Sequence, residues 1–443
     1  MRRTLPWAVL GALLSSSATA ADPAAAEGGS PAVDERSALH CQATVATQAH
    51  PPFPARYSGT NSLRPGAESA TSFVTDLFAG IRPWSGGEAW FQPELAGGRG
   101  LSSTLGVAAF PSGEVYRVGD PAPTLVPARL FLRQVFGLGG GSVRVDPGPN
   151  QLGGARDRDA LTLTLGKLAT TDVVDANPLS NDPHTRFTSW GLWASAAYDY
   201  PADVRGYTWG AAADLALGRW SARGGLFLEP TTANGSELEW RLGRARGLAL
   251  EGELRFEPGG RPGAVRVLVF LNTARMGSYR RALEDPSAGL DVAATRAPGR
   301  TKYGFAASAN QQVNETLGVF ARGSWNDGAT ESWAFTEIDR SLAAGAVQGG
   351  ARWGRPADEA GLALVVSGLS AAHRAYLQRG GLGFLIGDGA LRYGPELLGE
   401  VYYRLALGRA VSFVGTYQPI LNPAYDRDRG PVHVFTGRAH LAF

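Results

Sequence analysis

Along most of this chain apolar and polar residues alternate one by one, and the alternation returns in segment after segment. At the C-terminal end Phe435, Gly437, Ala439, Leu441 and Phe443 share one face, while Thr436, Arg438 and His440 share the other. Upstream, Val401, Tyr403, Leu405 and Leu407 oppose Glu400, Tyr402 and Arg404, and Leu248, Leu250, Leu254 and Phe256 oppose Glu251, Glu253 and Arg255. A period of two is the signature of β-strands with two unlike faces. It predicts sixteen strands over 39–48, 71–82, 88–95, 127–136, 160–168, 207–217, 219–229, 247–257, 264–272, 302–312, 316–326, 333–349, 360–368, 396–407, 411–421 and 432–443.

Alternation alone does not say which face is outside. Three further features favour an apolar exterior. Short connections (84–87, 217–219, 258–263, 312–316, 355–359, 408–410) alternate with long ones (49–70, 96–126, 169–206, 273–301, 369–394). Aromatic residues gather near strand ends, as in the interface girdles of membrane barrels, and the last strand ends on Phe443, an aromatic assembly signal. The expectation is an all-β, 16-stranded antiparallel transmembrane barrel with short periplasmic turns, long external loops and both termini in the periplasm. The connection 137–159 breaks the pattern, being long and Gly/Pro-rich on the short-turn side.

Composition agrees. Glycine is 59 of 443 residues and charged residues are 19%, above and below ordinary globular usage respectively. No apolar run of 18 or more follows the N-terminus, which excludes a helical membrane protein and leaves a soluble periplasmic protein or a barrel. Met1-Arg2-Arg3, an apolar run from Leu5 to Leu14 and Ala18-Thr19-Ala20 read as a signal peptide over 1–20. A flexible leader is expected over 21–38 and the barrel domain over 39–443. Losing Arg2 and Arg3 brings the formal charge from +2 to neutral, which argues against nucleic acid as a partner. The single cysteine, Cys41, falls on the lipid side of the first strand and forms no internal disulfide.

The inward face carries mixed charge: Arg129, Arg133, Arg223, Glu229, Glu251, Glu253, Arg255, Arg266, Arg322, Asp339, Glu400, Arg404 and Arg438. At sixteen strands such an interior leaves an aqueous channel. A mixed lumen suits polar neutral solutes better than ions of one sign, although such pairs also brace a barrel wall. Of 42 basic residues only Lys167 and Lys302 are lysine, and the arginine fork with its five donors serves several hydroxyl oxygens at once. Segment 169–206 is the richest in chemistry, with Asp172, Asp175, Asn177, Asp182, Arg186 and Trp190 interleaved with further aromatics. Sugar hydroxyls take hydrogen bonds and ring C–H faces pack on indole or phenol, so these six are the candidate substrate path; packing on the outer rim is the competing placement.

No G-x-S-x-G, H-E-x-x-H or phosphate-binding loop occurs, and the six histidines lack ligand spacing. The chain is expected to be neither an enzyme nor a holder of metal or cofactor. Loops 273–301 and 369–394 have room for a peptide or protein partner, and Ser370 to Arg379 for a short helix.

Several stretches carry a resemblance. Leu163-Thr-Leu-Gly-Lys-Leu-Ala-Thr-Thr-Asp172, Asn181-Asp-Pro-His-Thr-Arg-Phe187, Tyr198-Asp-Tyr-Pro-Ala-Asp-Val-Arg-Gly-Tyr-Thr-Trp-Gly210, Trp325-Asn-Asp-Gly328, Glu337-Ile-Asp-Arg-Ser341 and Asn422-Pro-Ala-Tyr-Asp-Arg-Asp-Arg-Gly-Pro431 run in order along the chain. Together they resemble the carbohydrate-selective porins of the OprB type from Gram-negative outer membranes. The resemblance also extends to a subgroup with a long 137–159 connection containing Gly148-Pro-Asn-Gln-Leu152. It implies passive diffusion of small sugars through an eyelet narrowed by inward loops, at the six loop positions above. The partners would be outer-membrane lipid and lipopolysaccharide, with sugars in the lumen of a monomer or homotrimer. The alternatives are a general or anion-preferring pore and a non-channel barrel, enzymatic or structural.

Overall fold

The computed structural model describes residues 34–115 and 121–443, so the expected signal peptide and most of the leader lie outside the described residues. Sixteen strands close into one barrel in which every strand pairs antiparallel with its chain neighbours and β1 (Ser37–His50) closes on β16 (Val432–Ala442). Between them lie β2 (Glu68–Ile81), β3 (Gly87–Gly98), β4 (Thr124–Val145), β5 (Gly154–Leu168), β6 (Thr208–Leu217), β7 (Trp220–Phe227), β8 (Arg246–Phe256) and β9 (Gly263–Ala274). Then follow β10 (Arg300–Gln312), β11 (Leu317–Asn326), β12 (Arg340–Gly349), β13 (Glu359–Gly368), β14 (Glu396–Leu407) and β15 (Val411–Leu421). Closure leaves no free sheet edge around the wall, and no helix among the described residues is long and apolar enough to cross a membrane.

The apolar face points out. Leu39, Leu125, Leu165, Leu250, Leu342 and Leu362 are all more than half exposed, whereas neighbours of the opposite parity such as Glu251, Ala343 and Ala363 are buried. Trp84, Trp220 and Trp353 are exposed at the end that carries both termini, and Tyr303, Trp325 and Phe435 towards the other, forming two aromatic bands. Cys41 shares the outward parity of Leu39 and Val45 and is partly exposed.

Two strand boundaries differ from the sequence expectation for physical reasons. The segment 333–339 is not strand, because Trp333, Ala334 and Phe335 donate their backbone N–H groups to the Asp199 carboxylate at 2.7, 2.8 and 3.0 Å instead of to a neighbouring strand. The connection 137–159 is largely strand: β4 and β5 run on as a paired ribbon, leaving only 146–153 as the loop.

The long loops turn into the barrel. Three short helices sit within them: α1 (Trp190–Trp193), α2 (Tyr279–Glu284) and α3 (Ala371–Gln378), the last capped by Ser370, whose hydroxyl accepts from His373 N. Loop residues Leu101, Val107, Phe110, Phe187, Leu192, Leu385 and Ile386 pack on the inward positions Phe320, Val347, Val365, Leu398, Tyr402, Val414, Ile420 and Val434 as one buried cluster. The β11–β16 wall therefore carries a dry core inside the barrel, packed around buried charges such as Arg322, Glu400 and Arg438.

Candidate functional site

The interior is built from inward loops, and buried carboxylates hold them. A loop brought into a barrel carries backbone N–H groups that water no longer satisfies. Glu396 accepts from Ala108, Ala109 and Ala424 N at 2.9, 2.8 and 2.7 Å; Glu400 accepts from Thr188 and Ser189 N at 2.6 and 2.9 Å; Glu337 accepts from Leu385 and Ile386 N at 2.7 and 3.0 Å. Asp199, from the 169–207 loop, does the same for 333–335 and pairs with Lys302 Nζ at 3.1 Å. Hydrogen bonds to a charged acceptor are the stronger kind, about 1.5–3 kcal/mol each.

On the opposite wall Arg129 and Arg133 keep contact with water, whereas Asp76, Glu88, Gln92 and Glu94 are buried. Arg129 of β4 grips Asp172 with two bonds, Nε to Oδ2 at 2.7 Å and Nη2 to Oδ1 at 2.6 Å, and gives Nη1 to Gln92 Oε1 at 2.7 Å. The Tyr207 ring lies 5.2 Å from the same guanidinium, and its hydroxyl donates to Glu94 at 2.6 Å. The Arg129 and Asp172 side chains keep 16% and 33% of their surface, so both reach water while still paired. Nearby, His184 contacts Glu114 at 2.7 Å, Thr44 at 3.1 Å and Gln42 at 3.2 Å. Burial works to discharge this loop histidine, but the charge and hydrogen bond of Glu114, followed by Asp182 and Asp76, outweigh it and raise its pKa to about 9. Asp182 accepts from His184 N and Thr185 N; burial opposes its charge, yet the His184 charge and the Thr185 hydroxyl hold its carboxyl below the ordinary range.

The six loop residues singled out in the sequence divide by burial. Asp172, Asp182, Arg186 and Trp190 stay partly exposed within the barrel. Arg186 forms a two-bond pair with Glu359, both at 2.9 Å, and gives a further bond to Pro178 O. Asp175 and Asn177 are buried anchors. Asp175 accepts from Ser195 N and Oγ at 2.6 Å each and from Arg322 at 2.9 Å, while its own N–H goes to Glu251 at 2.7 Å; Asn177 donates to Ser308 Oγ at 3.2 Å.

The thirteen inward wall residues divide similarly. Glu251, Arg322, Glu400 and Arg438 are covered by the 169–207 loop, Arg438 holding Pro183 O and, at 2.7 Å, Arg186 O. Asp339, just ahead of β12, holds Ser370 N at 2.7 Å and His373 Nδ1 at 3.1 Å. Glu229 lies beyond the end of β7 and is fully buried; burial, then the Asp199 charge, pushes its carboxyl well above the usual range. Arg223, Glu251, Glu253, Arg255 and Arg266 form a wall ladder, with Arg266 Nε 2.6 Å from Glu253. Arg133 pairs with Glu88 at 3.2 Å, and Arg404 reaches Ala357 O at 3.4 Å near the termini end.

The sequence reading missed Gln92, Glu94, Tyr207, Glu114 and Glu359. The first two were within reach, since Glu88, Trp90, Gln92 and Glu94 share one parity of β3 against the exposed Phe91 and Leu95. Glu114 belongs to a loop whose inward course no local pattern states.

Phe110, Trp190, Tyr200, Phe335 and Phe384, with Asp203 and Asn234, line a small aromatic hollow. Trp190 and Phe335 stack at 5.4 Å, and Trp190 is fixed by Nε1 donation to Ser112 O at 2.8 Å. Among the described residues no group of three or more His, Cys, Asp or Glu is placed to hold a metal ion.

No curated protein sequence matches this chain. Among solved structures, Pseudomonas putida OprB in its high-pH structure aligns with a TM-score of 0.67 at 16% identity, covering 92% of this chain and 94% of that one. The outer membrane channel DcaP of Acinetobacter baumannii aligns with a TM-score of 0.51 at 10% identity, covering 92% and 97%. At these identities the likeness is one of fold. The carbohydrate-selective porin, OprB family, matches residues 60–443, which take in every strand from β2 onward. The chain belongs to the OprB family of carbohydrate-selective porins.

Proposed function

We propose that small neutral sugars diffuse passively through this outer-membrane barrel along its β2–β6 side, past the ring of Arg129, Asp172, Gln92, Glu94 and Tyr207. The observation that carries this reading is the Arg129–Asp172 pair, satisfied by its own hydrogen bonds yet water-accessible, beside the buried Gln92 and Glu94 in a lumen otherwise filled largely by loop core. A hydroxyl both donates and accepts, so a passing sugar can borrow bonds from the guanidinium and the carboxylate in turn. Because Arg129 and Asp172 already satisfy each other, no strong unpaired charge holds the solute back, and weak binding is what permits exit.

Passage needs no catalytic group, and the reading makes the protein a pore and not an enzyme. Its apolar exterior meets outer-membrane lipid and lipopolysaccharide, as a monomer or a trimer. Liposome swelling with glucose against a zwitterion of equal size tests selectivity: faster entry of glucose is expected, and equal rates would overturn it. Reversal potentials in a salt gradient separate this reading from an anion-preferring pore, which would show a clear offset towards the anion.

A further inference from the structure

The β4–β5 ribbon does not simply hang below the barrel. β4 pairs with β3 only as far as Gln134, and β5 pairs with β6 only from Ala160, so 137–145 and 154–159 pair solely with each other. At the exit from the wall Gly139, Gly140 and Gly141 have φ of 92°, 77° and 91°, three successive left-handed residues that other side chains rarely adopt, and the register shifts twice across them. Asp157 accepts from Gly139 N at 2.8 Å, and Asp159 accepts from Gly218 N at 2.7 Å, which ties the bend to the neighbouring turn.

The bend sends the tip back into the lumen. Leu152 is 1% exposed and packs with Phe78, Trp90 and Phe131, all inward positions of β2, β3 and β4. Asn150 Nδ2 donates to Gln92 Oε1 at 3.1 Å, and Arg133 Nη1 donates to Asn150 O at 2.9 Å. Gln92 is five residues inside the start of β3; at about 3.3 Å per residue and a tilt near 40°, the tip reaches roughly 12 Å into the barrel. The N-terminal segment fastens it, with Glu35 N to Gly153 O at 3.1 Å and Gly153 N to Glu35 Oε2 at 2.8 Å. Gln92 Oε1 also accepts from Arg129, so the tip touches the same amide as the upper ring.

We propose that residues 146–153 form a second constriction, on the periplasmic side, in which Asn150, Arg133 and Glu88 are specificity-determining groups that a sugar passes after the Arg129–Asp172 ring. This rests on the porin reading. Val145 and Gly154 face each other across the ribbon, so replacing 146–153 by Asn-Gly closes it with a two-residue hairpin. The shortened barrel is expected to conduct about two-fold more and to raise raffinose entry relative to glucose several-fold, whereas Asn150→Trp is expected to lower both conductance and glucose entry. Both variants are checked for folding by heat-modifiable gel mobility. A folded shortened barrel with wild-type conductance and a wild-type raffinose-to-glucose ratio overturns the proposal. If shortening prevents folding, Asn150→Trp decides alone, and unchanged conductance overturns it. A wild-type protein that conducts ions but excludes glucose fails the porin reading instead, which keeps the two outcomes apart.

Discussion

The two sides of this barrel follow one strand pattern and enclose different interiors. From β11 to β16 the inward positions include the apolar Phe320, Val347, Val365, Leu398, Val414 and Val434 beside the buried charges Arg322, Glu400 and Arg438, and loops cover them as a soluble protein covers its sheet. From β2 to β4 the inward positions include Asp76, Glu88, Gln92, Glu94, Arg129 and Arg133, and the last two stay partly exposed. The difference teaches that an inward loop needs two anchors, apolar surface to bury and a carboxylate to satisfy its backbone. The β11–β16 wall supplies both for the long loops, whereas on β2–β4 the inward apolar residues Phe78, Trp90 and Phe131 are covered only by Leu152 from the short-turn side.

The contrast can be broken from either side. Phe187→Ala removes a fully buried ring that meets Tyr402 at 4.9 Å and Phe320 at 5.5 Å; a loss of about 3–5 kcal/mol in urea unfolding is expected, with conductance rising as the loop loosens. Glu400→Ala leaves two loop N–H groups without an acceptor and should cost about 3 kcal/mol, while Glu400→Gln, which retains a carbonyl oxygen, should recover part of it. On the wet wall Arg129→Ala should shift the reversal potential towards cations and slow glucose entry, at a smaller stability cost than Glu400→Ala, since Arg129 and Asp172 keep contact with water. A stability loss as large as that of Glu400→Ala would show that the two walls do not differ as described.

A further effect is pH-dependent. The His184 pKa is raised to about 9, above its unfolded value near 6.5, so its stabilising contribution is complete below about pH 6.5 and is lost as pH rises through 9. Thermal midpoints of wild type and His184→Gln measured from pH 6 to 10 should therefore converge at the alkaline end. Parallel curves would mean that the imidazolium contributes nothing.

Part of this division was already visible in the sequence. The run Leu362-Ala-Leu-Val-Val366 is apolar at consecutive positions, the pattern of a strand buried on both faces, whereas Arg129-Leu-Phe-Leu-Arg133 places a charge at two of the three positions of one face. Asp172 and Arg186 stood out because charge and aromatics interleave in a loop too long for a hairpin. Asp175 and Asn177 looked identical by that criterion, and only their partners Arg322, Glu251 and Ser308, far along the chain, make them anchors.

The sequence by itself determined the strand number, the antiparallel order, the lipid-facing side and the short-turn end, because each follows from a period of two and from connection length. Tertiary structure alone decided which loops enter the barrel, which inward charges are consumed in holding them, and that the glycine-rich connection is a bent ribbon with its tip in the mouth. Those outcomes depend on pairings between residues separated by tens to hundreds of positions, such as Ala108 with Glu396, and no local pattern encodes them.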